Sequence, residues 1–277
     1  VKSRLEAAGA LDGGREEADY VFRQRLGLSP AERVLYGRGE VGPHALAAVE
    51  DAVALRERGL PLAYALGRAD FAGLSFEVTP DVLIPRPETE FLVERAAQHF
   101  KQARYQRQTV LDLGCGSGCI GLSLAWRFPE LQVVLTDIST AALDVAHENA
   151  QRLGVLEQVE LRQGDWFGAL KRRERFDAIL CNPPYITRRD DPRLAAEVRE
   201  HEPGLALFLE SDPEEFYYRL GRKAVSHLFA GGLLAVEVGY DTAWPARCAF
   251  ERINALKRGH DIHDFSGIER VIWALRK

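Results

Sequence analysis

The chain has 277 residues, 46% of them hydrophobic and 28% charged, ordinary values for a folded globular protein that exclude wholesale disorder. Lys and Arg number 36 against 41 Asp and Glu, a net charge of −5, so the chain as a whole lacks the basic excess usual in proteins that grip many nucleic-acid phosphates, which leaves room only for a local basic patch. No apolar run approaches the ~20 residues that span a bilayer, no apolar signal core follows Val1, and Cys115, Cys119, Cys181 and Cys248 show no CxxC spacing, which suits a reducing cytoplasm.

Residues 1 to about 70 read as helical. Ala, Leu, Arg and Glu dominate and no alternating β-branched run occurs. Ser29-Pro30 and Pro43 are helix-start signals, and Leu46, Val49, Val53 and Leu55 approximate one apolar face of a helix from His44 to Arg58. Residues 71–90 differ. Phe71, Leu74, Phe76 and Val78 among Gly73, Thr79 and Pro80 predict a hairpin or extended linker, and Ile84-Pro85-Arg86-Pro87 is stiff and non-helical. A helix is expected from Glu88 to about Phe100.

From residue 109 the rhythm is strand, turn, helix. Strands are predicted at Thr109 to Leu113, Val133 to Thr136, Val159 to Leu161, Phe176 to Leu180, Leu233 to Val238 and Val271 to Leu275. Helices are predicted over Gly118 to Phe128 and, capped by Ser139 or Thr140, up to Gly154. Strands alternating with helices imply a parallel, doubly wound sheet with ligands at the carboxyl ends of its strands.

The first strand runs into Gly114-Cys115-Gly116-Ser117-Gly118. Glycines there permit close approach to a ligand, and a helix N-terminus offers free N–H groups. Gly116, Gly118 and Gly121 spell a literal GxGxxG, which alone would suit a nicotinamide dinucleotide. Two details favour S-adenosylmethionine instead. The turn begins at Gly114, so the pattern directly after the strand is GxGxG, and Asp112 places a carboxylate in the strand end. Asp137, 19 residues beyond Gly118 at the end of the second strand, is placed to accept both hydroxyls of a ribose. Asp165 and Trp166, past the third strand, are candidates to hold adenine by hydrogen bond and stacking.

Asn182-Pro183-Pro184-Tyr185 follows the apolar fourth strand and carries the most specific signal, that of methyl transfer to a planar sp² or amide nitrogen. An amide nitrogen is a poor nucleophile because its lone pair is delocalised into the carbonyl. The Asn182 side-chain oxygen and the Pro183 carbonyl are expected to accept one N–H each from the target NH₂. The prolines keep the loop rigid, and Tyr185 covers the planar group. Cys181 has no evident base beside it, and Cys115 and Cys119 lack metal partners, so all three read as buried thiols. Arg172, Arg173, Arg188 and Arg189 bracket the loop as a solvated face or a contact for an acidic partner.

The whole chain resembles the bacterial HemK-like (PrmC-type) glutamine N5-methyltransferases of class I peptide chain release factors. The resemblance is carried by Pro61 to Gly67, Leu83 to Glu90, Asp112 to Gly118, Asp165-Trp166-Phe167, Asn182 to Ile186, Glu202-Pro203 and Glu269-Arg270-Val271. It implies a class I, Rossmann-like methyltransferase fold with a seven-stranded, mostly parallel sheet over 91–277, a hairpin or linker at 71–90 and a helical module at 1–70 that docks the release factor. It also implies S-adenosylmethionine as cofactor, the glutamine of a Gly-Gly-Gln motif as methyl acceptor, and a cytoplasmic monomer with no membrane or direct nucleic-acid contact. The segment Glu210 to Gly221 fits this pattern least well. The alternatives are methylation of a ribosomal-protein glutamine, adenine N6 methylation of nucleic acid, a non-catalytic binding module and a nicotinamide oxidoreductase. The net acidity and the lack of a recognition domain weigh against adenine, and Asn-Pro-Pro-Tyr has no role in hydride transfer.

Overall fold

The computed structural model describes residues 1–9, 14–28, 31–32, 42–102, 108–187 and 191–277; the helix-start signal at Ser29-Pro30 lies outside them. The N-terminal region is helical: α1 (Lys2–Ala7), α2 (Arg15–Leu26), α3 (Pro43–Glu57) and α4 (Leu62–Leu66). Pro43 sits in the first turn of α3, where its missing N–H costs nothing. Leu5, Ala18, Val21, Val49, Ala52, Val53 and Leu66 form a small core of their own. The face of α3 differs from the expected one. Val49, Ala52, Val53 and Arg56 are buried, at i, i+3, i+4 and i+7, whereas Leu46 and Leu55 are 48% and 36% exposed. Leu55 is two residues from Val53, about 200° around the helix, so it cannot share that face.

A hairpin follows, β1 (Arg68–Phe71) paired antiparallel with β2 (Leu74–Glu77). It begins three residues earlier than the sequence suggests, because the left-handed Gly67 ends α4 and the chain turns straight into the strand. The Tyr64 hydroxyl donates to the Val82 carbonyl at 2.6 Å, tying α4 to the extended stretch beyond the hairpin. After a single 3₁₀ turn, Pro87–Thr89, comes α5 (Glu90–Gln102).

The remainder alternates: β3 (Gln108–Leu113), α6 (Cys119–Arg127), β4 (Leu131–Asp137), α7 (Thr140–Arg152), β5 (Val159–Gln163), β6 (Phe176–Cys181), α8 (Ala196–His201), α9 (Gly204–Leu207), α10 (Pro213–His227), β7 (Leu228–Glu237), α11 (Ala243–Glu251), β8 (Leu256–Arg258), β9 (Ile262–His263) and β10 (Glu269–Arg276). Ser139 is the cap of α7 and accepts from the Ala142 N–H. The charge run in Glu210 to Gly221 is a helix start. Asp212 accepts from the Glu215 N–H, and Glu214 and Glu215 occupy the first turn of α10, where acidic groups meet the positive end of the helix dipole.

The strands form one sheet in the order β5-β4-β3-β6-β7-β10-β8, with the two-residue β9 added beside β10. β3 to β7 are parallel, and β10 is antiparallel to β7. Side chains alternate across it. Val110, Leu180, Leu233 and Ala235 face Leu92, Val93, Ile120 and Leu124 of α5 and α6 on one side. Leu111, Ile179, Leu234 and Val236 face Tyr217, Leu220 and Phe250 of α10 and α11 on the other. Each Val, Leu, Ile or Phe side chain among them contributes ~1.5–3 kcal/mol on burial. The chain runs outward from β3 to β5 and then returns to β6 beside β3, so the direction of winding reverses between β3 and β6. A crevice opens at the carboxyl ends of strands at such a reversal. No helix among the described residues is long and apolar enough to cross a membrane.

Candidate active site

The glycine turn leaves β3 and the Asn-Pro-Pro-Tyr loop leaves β6, so both arrive at the reversal point. The first turn is held by backbone bonds. The Gly114 and Cys115 N–H groups both donate to the Thr136 carbonyl at 2.9 Å. Gly114, Gly116 and Gly118 have φ of 75°, 52° and 78°, the left-handed region where a Cβ is strained. Asp137 closes the turn: one carboxylate oxygen accepts from the Gly116 N–H and the other from the Ser139 N–H, both at 2.9 Å. Each oxygen keeps a lone pair for a further donor.

A cleft of about 1530 Å³ opens over this turn, lined by Gly114, Cys115, Gly116, Ser117, Asp137, Asp165, Trp166, Asn182 and Pro184 among others. A pocket for one small ligand is ~300–1,000 Å³, so the cleft has room for a cofactor and part of a second substrate. The turn fits an adenosyl group. A Cβ built on Gly114 or Gly116 would meet nothing within 4 Å, so these glycines leave free the space a ligand would fill. Gly118 serves differently. It is the N-cap of α6, and a Cβ there would come 2.8 Å from Leu122 Cδ1, so it packs behind the cleft.

Asp112 lies under the turn. It is fully buried, accepts from the Gly121 N–H at 2.9 Å, and its second oxygen has no partner. Burial pushes its carboxyl up to about 7. Gly121 brings the helix onto the sheet: a Cβ would sit 2.5 Å from Leu135 Cδ2 and 2.9 Å from Val133 Cγ1. Trp166 adopts φ 47°, a strained value for a bulky residue, and its ring meets Phe216 edge-on at 5.1 Å. Burial pushes the thiols of Cys115, Cys119 and Cys181 well above their usual range, so none is a thiolate nucleophile.

At the end of β6, Asn182 is half-buried and its Nδ2 donates to the Thr89 hydroxyl at 3.3 Å. Pro183 is buried and Pro184 lines the cleft. Tyr185 turns inward: its hydroxyl donates to Glu237 Oε1 at 3.4 Å, and a Cβ on Gly239 would come 2.7 Å from its ring. The loop is pinned beyond the tyrosine by Ile186, which exchanges backbone bonds with Leu207 and Leu209 at 3.0 and 2.9 Å. Arg188 and Arg189 lie outside the described residues.

Four contributors have roles that local sequence does not assign. Thr89 and Glu237 stand behind the loop. Glu202, itself buried, pairs with Arg86 and accepts from the Ile84 N–H at 3.2 Å, joining two distant motifs. Buried Asn149 donates to the Ser117 carbonyl at 2.9 Å and exchanges bonds with the Glu77 backbone, fastening the hairpin to the glycine turn. Two signals were available: Asn149 interrupts the apolar face of α7, and Glu237 ends an otherwise apolar strand.

Residues 88–200 match the Methyltransferase small domain family and residues 1–67 match the PrmC N-terminal domain family. A release factor glutamine methyltransferase of Bordetella pertussis is 43% identical over 93% of this chain and 93% of its own length. One from Cereibacter sphaeroides is 40% identical over 98% and 94%, and one from Moorella thermoacetica 38% over 99% and 95%. Among solved structures, a T. thermophilus 16S rRNA N2 methyltransferase in complex with AdoMet and guanosine superposes with a TM-score of 0.54 at 19% identity, covering 76% of this chain and 50% of that one. A Pyrococcus furiosus methyltransferase gives 0.51 at 21%, covering 75% and 90%. At that identity these two speak for the class I methyltransferase fold alone.

Proposed function

The chain belongs to the release factor glutamine methyltransferase family, and from that premise we propose how its cleft performs the reaction: Gly114 to Ser117, Asp137, Asp165 and Trp166 hold the cofactor, and Asn182 with Pro183 holds the acceptor amide. The acceptor is the side-chain nitrogen of the glutamine in the Gly-Gly-Gln motif of a class I release factor. S-adenosylmethionine, when bound, supplies a methyl carbon made electrophilic by its sulfonium. Asp137 accepts from the ribose hydroxyls while it braces Gly116 and Ser139. Gly114 and Gly116 admit the ligand against the backbone. Asn182 Oδ1 and the Pro183 carbonyl each accept one N–H of the carboxamide. Those two bonds aim the nitrogen and favour the positive charge that builds on it, so positioning and electrostatics carry the catalysis. No side chain needs to remove a proton beforehand, because the alkylated amide nitrogen is acidic enough to release one to water.

The observation that carries this reading is the bond from Asn182 Nδ2 to Thr89, which leaves Oδ1 as the free end of that amide at the cleft. The same reading takes the helical module at 1–70 as the docking element for the release factor, the hairpin at 71–90 as linker, 91–277 as the methyltransferase domain, and the protein as a cytoplasmic monomer that does not bind nucleic acid. Mass spectrometry tests it: incubation with isotopically labelled cofactor and a release factor is expected to place one methyl on the Gly-Gly-Gln glutamine. Label on a ribosomal-protein glutamine or a nucleobase, with the release factor untouched, would overturn it.

A further inference from the structure

The acceptor is a protein, and one glutamine side chain in a cleft covers only a small part of the ~1,200–2,000 Å² that a specific protein–protein contact buries. The acceptor's surface must extend over the rim of the sheet around the Asn-Pro-Pro-Tyr loop. Three aromatic side chains stand exposed on that rim: Phe265 at 100%, Tyr240 at 78% and Trp244 at 66%. Tyr240 follows Gly239, against which the Tyr185 ring packs. Trp244 is in the first turn of α11. Phe265 tips the turn between β9 and β10. The Val238 N–H donates to the Arg270 carbonyl at 2.9 Å, and Val271 pairs with Glu237, so β10 starts at the carboxyl end of β7.

A single exposed apolar side chain is ordinary; the support given to these is not. The Asp264 carboxylate accepts from the Ser266 and Ile268 N–H groups at 2.9 and 3.0 Å and from Arg270 Nε at 2.7 Å. The Asp264 N–H donates to the Ile268 carbonyl at 2.8 Å, and Gly267 at φ 79° lets the chain reverse. A tightly bonded turn thus displays Phe265 to solvent, with the Phe91 ring edge-on at 5.5 Å. Its backbone is fixed before any partner arrives, so little ordering entropy is lost on contact. Arg247 lies over the Trp244 ring at 5.5 Å and pairs with Glu269, which joins Trp244 to the start of β10. Tryptophan and tyrosine are the side chains that most often carry binding energy in interfaces.

We propose that the corner formed by Tyr240, Trp244 and Phe265 is a docking surface of the methyltransferase domain for the release factor, covered by an apolar patch beside the factor's Gly-Gly-Gln loop. The chemistry of the partner follows from the charges around the rings, which are paired with one another: Arg247 with Asp261 and Glu269, and Arg270 with Asp264. The corner therefore offers apolar area rather than charge. Its continuity with the acceptor loop selects the occupant. Tyr240 meets that loop through Gly239 and Tyr185, and Phe265 meets it through Phe91, two residues beyond the Thr89 that holds Asn182. The corner has this role only if the glutamine enters at Asn182, as proposed above.

The test measures release-factor Kd and KM, kcat, cofactor Kd, thermal midpoint and sedimentation for the full chain. The variants are Phe265→Ser, the triple variant Tyr240→Ala, Trp244→Ala, Phe265→Ser, and, as control, Trp126→Ala, an exposed tryptophan near the end of α6 at the opposite, amino rim of the sheet. The triple variant is expected to raise Kd and KM for the release factor about tenfold or more, with kcat at saturation and cofactor Kd within about twofold and the midpoint unchanged. Phe265→Ser alone should raise both about threefold or more, and Trp126→Ala should change neither. A parental Kd in the triple variant, or an equal rise in Trp126→Ala, overturns the proposal. So does a parent that sediments as a dimer with a triple variant that is monomeric at unchanged KM, since the corner then serves self-association. Should the triple variant fail to fold, Phe265→Ser carries the test, and a parental Kd there overturns it. Asn182→Ala separates the two levels. If that variant keeps its turnover, the assignment of Asn182 itself falls; if it loses turnover while the triple variant binds the release factor as the parent does, the docking corner alone falls.

Discussion

The two loops that meet in the cleft are secured by opposite means. The glycine turn is held by its own neighbourhood: Thr136 and Asp137 lie within about one strand-helix-strand unit of it, and the bond from Gly116 to Asp137 spans 21 residues. The Asn-Pro-Pro-Tyr loop is held by side chains from afar. Asn182 leans on Thr89 across 93 residues and Tyr185 on Glu237 across 52. One loop is shaped by backbone bonds to the next strand and the Asp137 carboxylate, with Asn149 behind it, and presents N–H groups and empty space; the other leans on side chains far away in sequence and presents one oriented amide. Binding a cofactor tolerates the first kind of support. Aiming a weak nucleophile requires the second, because direction as well as position matters.

Breaking the second loop should therefore cost rate, and breaking the first should cost binding or stability. The largest effect is expected from Asn182→Ala. It should lower kcat by ~10²-fold or more while cofactor affinity largely survives, as for a lost transition-state contact. Equal losses in cofactor affinity and rate would erase the distinction between the loops.

Next is the pH dependence carried by Asp112 beneath the glycine turn. Its folded carboxyl titrates at about 7 against an ordinary 3.8, so between those values the folded state binds more protons than the unfolded one. Its contribution is fully present below pH 3.8 and is lost as pH rises through 7. At 1.36 kcal/mol per pKa unit the swing is roughly 4 kcal/mol. Asp112→Asn should flatten that share of the fall in urea unfolding free energy between pH 4 and 8, and an unchanged slope would remove Asp112 from the account. Gly121→Ala should destabilise by ~1–3 kcal/mol, since its Cβ meets Leu135 at 2.5 Å; a thermal midpoint equal to the parent's would contradict that packing. Asp137→Ala should weaken cofactor binding by ~1–2 kcal/mol by calorimetry, with lost ribose bonds added to a loosened turn. An unchanged cofactor Kd would count against ribose recognition.

The same contrast explains what could be read from the chain. The strand, the glycines and Asp137 are local in sequence, so their spacing announced the turn, the helix behind it and the carboxylate over it. The parallel sheet followed from the alternation of strands and helices, and Ser139 from its place before an apolar face. Thr89, Glu237 and the Glu202–Arg86 pair were out of reach, because nothing in local spacing says that β7 ends beside the turn before α5. Tyr185 was legible as a member of the motif but not in its direction: Gly239, 54 residues on, makes the space into which its ring turns. On α3, Leu46 and Leu55 are apolar yet exposed, because hydrophobicity alone does not reveal which side of a short helix has a neighbour.

The most direct measurement is a crystal structure of the protein with the demethylated cofactor and a Gly-Gly-Gln peptide. The glutamine NH₂ should be found hydrogen-bonded to both Asn182 Oδ1 and the Pro183 carbonyl, with Asn182 Nδ2 still on Thr89. A carboxamide bound through its oxygen at that point, or an Asn182 amide turned the other way, would contradict the account.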